Sequence, residues 1–192
     1  MEAKYKDKKI EFKEETTVGQ LLEKEIKESE HEVIAATFNN EYVNLNYKIK
    51  ESGEIKLIDL SSKAGMRIYR NTLIYILGMA FEKLFPDRKM TVNYQLTNSM
   101  FCDIDNTEVT EEIVQRLNEE MKRIVKENLP IRQAIMTREE AKKLYDQTNT
   151  FKGRLQFDFE ENKEIYMYYC EDYYNYCYGT IANRTGITKI FE

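Results

Sequence analysis

The run from Arg67 to Phe85 constrains this chain more than any other part of it. It ends at Pro86, whose ring cannot continue a helix, and its spacing predicts one long helix. Positions 71, 75 and 79 follow one another by four, so Asn71, Tyr75 and Met79 are expected on a shared face. That face carries an amide, a phenol and a thioether. It lacks imidazole, the group that exchanges protons or binds metal near neutral pH.

The 192 residues suffice for one or two domains with real cores. With 33% charged and 42% hydrophobic residues, and only 2 prolines and 7 glycines, the composition is neither disordered nor low-complexity. The sequence shows no apolar run of the roughly 18–20 residues that spans a bilayer, and no signal-peptide core at its start. Three cysteines, Cys102, Cys170 and Cys177, with no C-x-x-C pair, argue against a disulfide framework. A cytoplasmic protein without membrane partners is expected. The net charge of −5 gives no global attraction for nucleic acid. Basic residues do gather along the long helix and just beyond it, at Lys63, Arg67, Arg70, Lys83, Arg88 and Lys89. A solvated helix face is the plain interpretation, and an RNA-binding face is the functional one.

Residues 1–60 read as a small β-grasp unit. Lys4–Tyr5 and Ile10–Lys13 suit a hairpin around Asp7-Lys8-Lys9. Thr17 and Gln20 form a helix capping box, after which Val18, Leu21, Leu22 and Ile26 recur at helical spacing. Val33–Phe38 and Tyr42–Leu45 are strand candidates around Asn39-Asn40, and Ile55–Leu60 alternates as a closing strand buried mostly on one side. Ser61 to Gly65 reads as a linker of small residues.

Beyond the long helix, Met90–Val92 and Met100–Ile104 read as strands. Thr110 caps a helix with Glu111 and Glu112 in its first turn and an apolar face of Ile113, Val114, Leu117, Met121, Ile124 and Val125. Ile131–Ile135 reads as a strand, and Thr137-Arg138-Glu139-Glu140 opens another helix through a second capping box. Residues 155–192 are strand-rich, with seven of the 14 tyrosines between Tyr166 and Tyr178. Such a cluster serves sheet packing or the stacking of bases.

The Arg70–Ala80 segment resembles the helix that opens the editing domain of threonyl-tRNA synthetases. There the pattern is Arg-His-Ser-x-x-His-x-Leu-Gly-His-Ala, and its histidines line the editing pocket. Arg70, Leu77, Gly78, Ala80 and Pro86 match, while Asn71, Tyr75 and Met79 stand where the histidines would. A second motif of those domains, Cys-x-Gly-Pro-His, faces the first across the pocket. It is matched by Cys177-Tyr178-Gly179-Thr180-Ile181, again without the histidine. The order of elements over 1–60 resembles the TGS domain, the ubiquitin-like module at the front of the same synthetases. Gly65-Met66-Arg67-Ile68-Tyr69, together with Tyr178-Gly179 and Thr185-Gly186, resembles the front part of bacterial uridine kinase-like proteins. In those proteins a TGS unit and a degenerate editing domain precede a P-loop kinase.

An α+β chain is therefore expected, with a TGS-like β-grasp domain at 1–60 and a degenerate editing-like domain at 61–192. The single histidine, His31, lies before a strand of the first unit and is expected to carry no function. Ester hydrolysis needs a poised base or a metal-activated water, so no catalytic residue and no metal site are expected. Cys177 alone is expected to be a small buried hydrophobe. No Gly-Lys pair of a P-loop occurs in the chain. ATP and Mg are therefore expected only for a kinase domain C-terminal to this segment, which would be its partner within a longer protein.

The expected function is a non-catalytic recognition region binding a small ligand or RNA in a vestigial pocket. The candidate site is Asn71, Tyr75, Met79, Cys177, Tyr178 and Gly179. The alternatives are a docking module with a closed pocket and an editing domain with unusual residues.

Overall fold

The computed structural model describes residues 1–96, 99–147, 164–177 and 179–191. In the first unit, β1 (Glu2–Tyr5) and β2 (Lys8–Glu11) form an antiparallel hairpin. Its turn is Lys6-Asp7, with Lys6 at φ 54°, so Lys8 and Lys9 belong to the strand and not to the turn. Thr17 caps α1 (Val18–Leu21) through a complete capping box: its hydroxyl accepts from Gln20 N and Gln20 Oε1 accepts from Thr17 N. A bend at the fully buried Leu22 separates α1 from α2 (Glu23–Lys27), where the sequence suggested a single helix.

Next come β3 (Val33–Phe38), β4 (Glu41–Val43) and β5 (Gly53–Asp59). Asn39 and Asn40, at φ 50° and 69°, form the two-residue turn between β3 and β4, a conformation asparagine tolerates well. The sheet order is β2-β1-β5-β3-β4, with β1 and β5 parallel. Across that parallel pair lie Val18 and Leu22, buried with Ala3, Ala36 and Ile55 in the first core.

The sheet is buried on both faces, and this corrects the one-sided closing strand read from the sequence. Ile55 points into the first core, but Ile58 joins Ile34 and Ala35 against the long helix. A register irregularity between Val33 and Ala35 places Ile34 and Ala35 in this second core while Val33 and Ala36 stay in the first.

The long helix, α3 (Lys63–Leu84), begins four residues earlier than its periodicity suggested. Ser62 caps it, accepting from Gly65 N at 3.0 Å while donating to Asp59 O at 2.8 Å. The small residues at 61–65 thus form a cap and a first helical turn packed on the end of β5. Smallness serves close approach: a Cβ on Gly65 would lie 1.9 Å from Asp59 O. Ile68 and Tyr69 of α3 then cover Ile34, Ala35 and Ile58, joined by Ala182 and Ile187 from the end of the chain.

After α3 comes the antiparallel hairpin β6 (Met90–Leu96) and β7 (Ser99–Ile104). Thr110 caps α4 (Glu111–Glu127) through its hydroxyl, and Leu117, Met121 and Ile124 bury against α3. Val114, expected on that face, is 53% exposed. Next, β8 (Arg132–Thr137) leads into α5 (Arg138–Gln147) through the expected capping box, Glu140 Oε2 accepting from Thr137 N at 2.8 Å. Strands β9 (Glu164–Cys170) and β10 (Tyr173–Tyr176) complete a sheet ordered β10-β9-β8.

Residues 179–191 then return across the molecule. Buried Thr185 donates to Ile124 O and accepts from Leu129 N, and Ala182 N donates to buried Thr72 at 2.9 Å. Arg184 and Lys189 reach back to Glu32 at 3.0 and 3.2 Å, and Thr180 Oγ1 donates to Tyr42 O at 3.1 Å. These contacts fasten the second unit to the β-grasp sheet.

Candidate functional site

The three positions spaced by four on α3 separate instead of forming one surface. A step of four residues overshoots a 3.6-residue turn by about 40°, so the positions drift by about 80° from 71 to 79. Asn71 stays near the surface, half-buried, while Tyr75 and Met79 turn into the core, 1% and 7% exposed. Tyr75 donates to Tyr168 O at 3.2 Å and to Tyr173 O at 3.4 Å. Its ring meets those of Tyr173 and Tyr168 edge-on, at 5.0 and 6.5 Å between centroids. Met79, Cys170 and the fully buried Ile181 belong to the same cluster, and Cys177 packs against it.

Gly78 makes room for this arrangement, since a Cβ there would lie 2.4 Å from the Tyr173 hydroxyl. The tyrosine-rich strands therefore serve packing. Tyr145 donates to Asn175 Oδ1 and accepts from Tyr176 N, each at 2.9 Å, and Asn175 Nδ2 donates to Tyr173 at 3.1 Å. Tyr178, also singled out from the sequence, lies outside the described residues. Gly179, at φ +94°, sits beside Asn71, whose Nδ2 donates to Thr180 O at 3.5 Å. Of the six sequence candidates, Asn71 and Gly179 thus meet on one side of α3, while Tyr75 and Met79 lie in the core with the partly buried Cys177 packed against it.

Burial pushes the Cys177 thiol up to about 12 and the Cys170 thiol to about 11, from an ordinary 9.0. Burial likewise raises the phenols of Tyr75 and Tyr173. A group whose folded value is raised stabilises the fold fully below its unfolded value and loses that contribution as pH climbs toward the folded value. The urea midpoint is therefore expected to be insensitive to these groups from pH 7 to 8.5, then to fall steadily between about pH 9 and 11. A midpoint unchanged at pH 11 would show that these groups ionise freely in the folded protein.

On the outer side of α3, Tyr42, Lys63, Arg67, Arg70, Asn71 and Met100 line a groove of about 590 Å³. The Arg67 guanidinium lies 5.0 Å over the Tyr42 ring. Lys63, Arg67 and Arg70 form no ion pair among the described residues. The basic face read from the sequence divides here. Lys83 is bound to Glu120 at 3.0 Å and Lys89 to Asp105 at 3.6 Å, while Arg88 lies over the Phe85 ring. At about 1.5 Å per residue, Lys83 is some 30 Å along the helix from Lys63. Tyr42 and Met100 were missed as groove residues because each reaches α3 from a separate strand. No local signal marks such a contact.

A β-grasp sheet docked on a long helix, with a tyrosine-packed sheet behind it, defines a two-part α+β architecture. Residues 1–60 match the ThiS family. The chain is 29% identical over 186 residues to a threonine–tRNA ligase of Caldanaerobacter subterraneus subsp. tengcongensis, covering 96% of this chain and 29% of that protein. A threonine–tRNA ligase of Clostridium tetani is 31% identical over 161 residues, 83% of this chain and 25% of its own length. That of Carboxydothermus hydrogenoformans is 29% identical over 163 residues, 84% and 26% of the two chains. The chain is homologous to the N-terminal region of threonyl-tRNA synthetases and spans little more than a quarter of the length of these relatives. No helix among the described residues is long and apolar enough to cross a membrane.

Proposed function

We propose that this chain is the non-catalytic recognition region of a longer protein of uridine kinase-like organisation. In this reading it presents a small ligand or RNA to a C-terminal kinase domain, to which ATP and Mg belong. The observation that carries the non-catalytic part is the fate of the emptied histidine positions. Tyr75, Met79 and Ile181 fill the core, and the nearby Cys177 thiol is held neutral by burial. Activating water for ester hydrolysis needs a base poised near the working pH. Phenols and thiols raised by burial do not supply one.

Incubation with mischarged seryl-tRNA(Thr) is expected to give no deacylation above blank. Turnover at about 1 per second or faster, a typical enzymatic rate, would overturn the reading. The dense packing of Tyr75 and Met79 also favours a second reading, a docking module with a closed pocket. Such a module binds the partner domain and no nucleotide.

A further inference from the structure

We infer that the groove between the β-grasp unit and α3 is a composite site for a nucleotide unit, a phosphate ester carrying a stackable base. The inference rests on the recognition reading above and names its ligand and place. Three features combine. Lys63, Arg67 and Arg70 lie at helical spacing along one side of α3, on the first turns of the helix, with no ion pair among the described residues. Elsewhere among the described residues some cations are matched, as Lys83, Arg123 and Arg184 are with Glu120, Glu127 and Glu32, and others, such as Lys122 and Lys126, are not; what marks the three on α3 is that they gather at one groove. Three unmatched cations facing a groove of about 590 Å³ leave positive charge concentrated where the net charge of −5 would not put it.

The second feature is Tyr42, 45% exposed on β4, its ring already under the Arg67 guanidinium. A tyrosine face beside an arginine offers stacking and charge together, the combination that holds single-stranded nucleic acid without reading its sequence. Asn71, which also lines the groove, adds an amide held near Thr180 O. The third feature is the position of the groove. Tyr42 comes from the first unit and the cations from the second, and Thr180 Oγ1 fastens the Tyr42 backbone to the returning chain. The site therefore exists only when the two units are docked. An apolar ligand would leave three cations without partners, and a bare anion would leave Tyr42 unused.

The test uses the whole chain with two probes. One is fluorescein-labelled single-stranded RNA of about 12 nucleotides, within the span of common single-strand sites. The other is free UMP, followed by calorimetry. Binding is expected at low salt and should weaken steeply as salt rises. In the double variant Arg67→Gln/Arg70→Gln, the slope of log affinity on log salt for the RNA should shrink by about 1.4, about 0.7 for each phosphate no longer neutralised. Tyr42→Ala should cost roughly 5-fold or more in affinity. Lys83→Ala, at the far end of α3, should bind as the wild type does.

UMP binding comparable to the RNA identifies a free nucleotide as the ligand. Binding of the RNA alone identifies a strand. The inference is overturned if neither probe binds at low salt, or if the folded double glutamine variant keeps wild-type affinity and slope. It is equally overturned if inorganic polyphosphate competes fully while Tyr42→Ala changes nothing, because the site would then be a polyanion patch. Retained binding in the double variant removes the groove and leaves the recognition reading in place. Deacylation turnover removes that reading and leaves the groove measurement standing.

Discussion

Tyr75→Ala is expected to destabilise the fold by about 3–5 kcal/mol, the range for removing a buried aromatic ring. Tyr75 is 1% exposed, its ring holds those of Tyr168 and Tyr173, and its hydroxyl serves two carbonyls at 3.2 and 3.4 Å. For a chain of this size that loss lowers the melting temperature by about 6–20 °C. Tyr75→Phe keeps the ring and removes only the hydroxyl, so it should cost about 1 kcal/mol. The contrast separates packing from recognition. If Tyr75 were a ligand residue on an open pocket, the alanine variant would melt close to wild type and fail only in binding. Thermal melts of both variants, followed by circular dichroism, decide between these outcomes.

Gly65→Ala is the second change with a large expected effect, and its sign runs against helix propensity. Alanine in a helix interior is favoured over glycine by about 1 kcal/mol. Here the added Cβ would meet Asp59 O at 1.9 Å and Asp59 C at 2.8 Å, both backbone atoms with no rotamer to change. Relief requires moving the start of α3 away from the end of β5, which disturbs Ser62 and the core of Ile34, Ile58 and Ile68. We expect a net loss of about 2–3 kcal/mol, typical of overpacking. Because the same contact docks the two units, the variant should also lose protease resistance at the β5–α3 junction. A gain in stability of about 1 kcal/mol, with unchanged proteolysis, would show that the junction is loose.

Much of the architecture was legible where local chemistry decides the backbone. Thr17 with Gln20, Thr110, and Thr137 with Glu140 mark helix starts because their side chains satisfy the first free amides. Asn39-Asn40 marks a turn because both residues tolerate positive φ. Strand β3 has the limits its apolar run suggests. The failures arise where a second element decides. Ser61 to Gly65 has the composition of a linker, but the same small residues suit a tight junction, and only the position of Asp59 distinguishes them. The double-sided burial of β5 depends on α3 covering Ile58, which the alternation of the strand does not announce.

The candidate site was legible in part. The sequence placed Asn71, Tyr75 and Met79 on one helix and drew attention to Arg67 and Arg70. It could not show that helical drift sends Tyr75 and Met79 inward, or that Glu120 engages Lys83 while Lys63 stays without an ion pair among the described residues. Those outcomes depend on α4, β9 and β10, elements distant in sequence that pack on α3.

Tyr75 and Met79, at two of the emptied histidine positions, are core, and the proposed recognition groove lies on the adjoining side of α3, where Asn71 also sits. A titration of the ¹⁵N-labelled chain with the single-stranded RNA, followed by amide chemical shifts, tests both halves at once. Shifts are expected to concentrate at Tyr42, Lys63, Arg67, Arg70 and Asn71, with Met79, Cys170, Cys177 and Ile181 unmoved. Shifts concentrated at Met79, Cys177 and Ile181, with the groove residues silent, would contradict this placement.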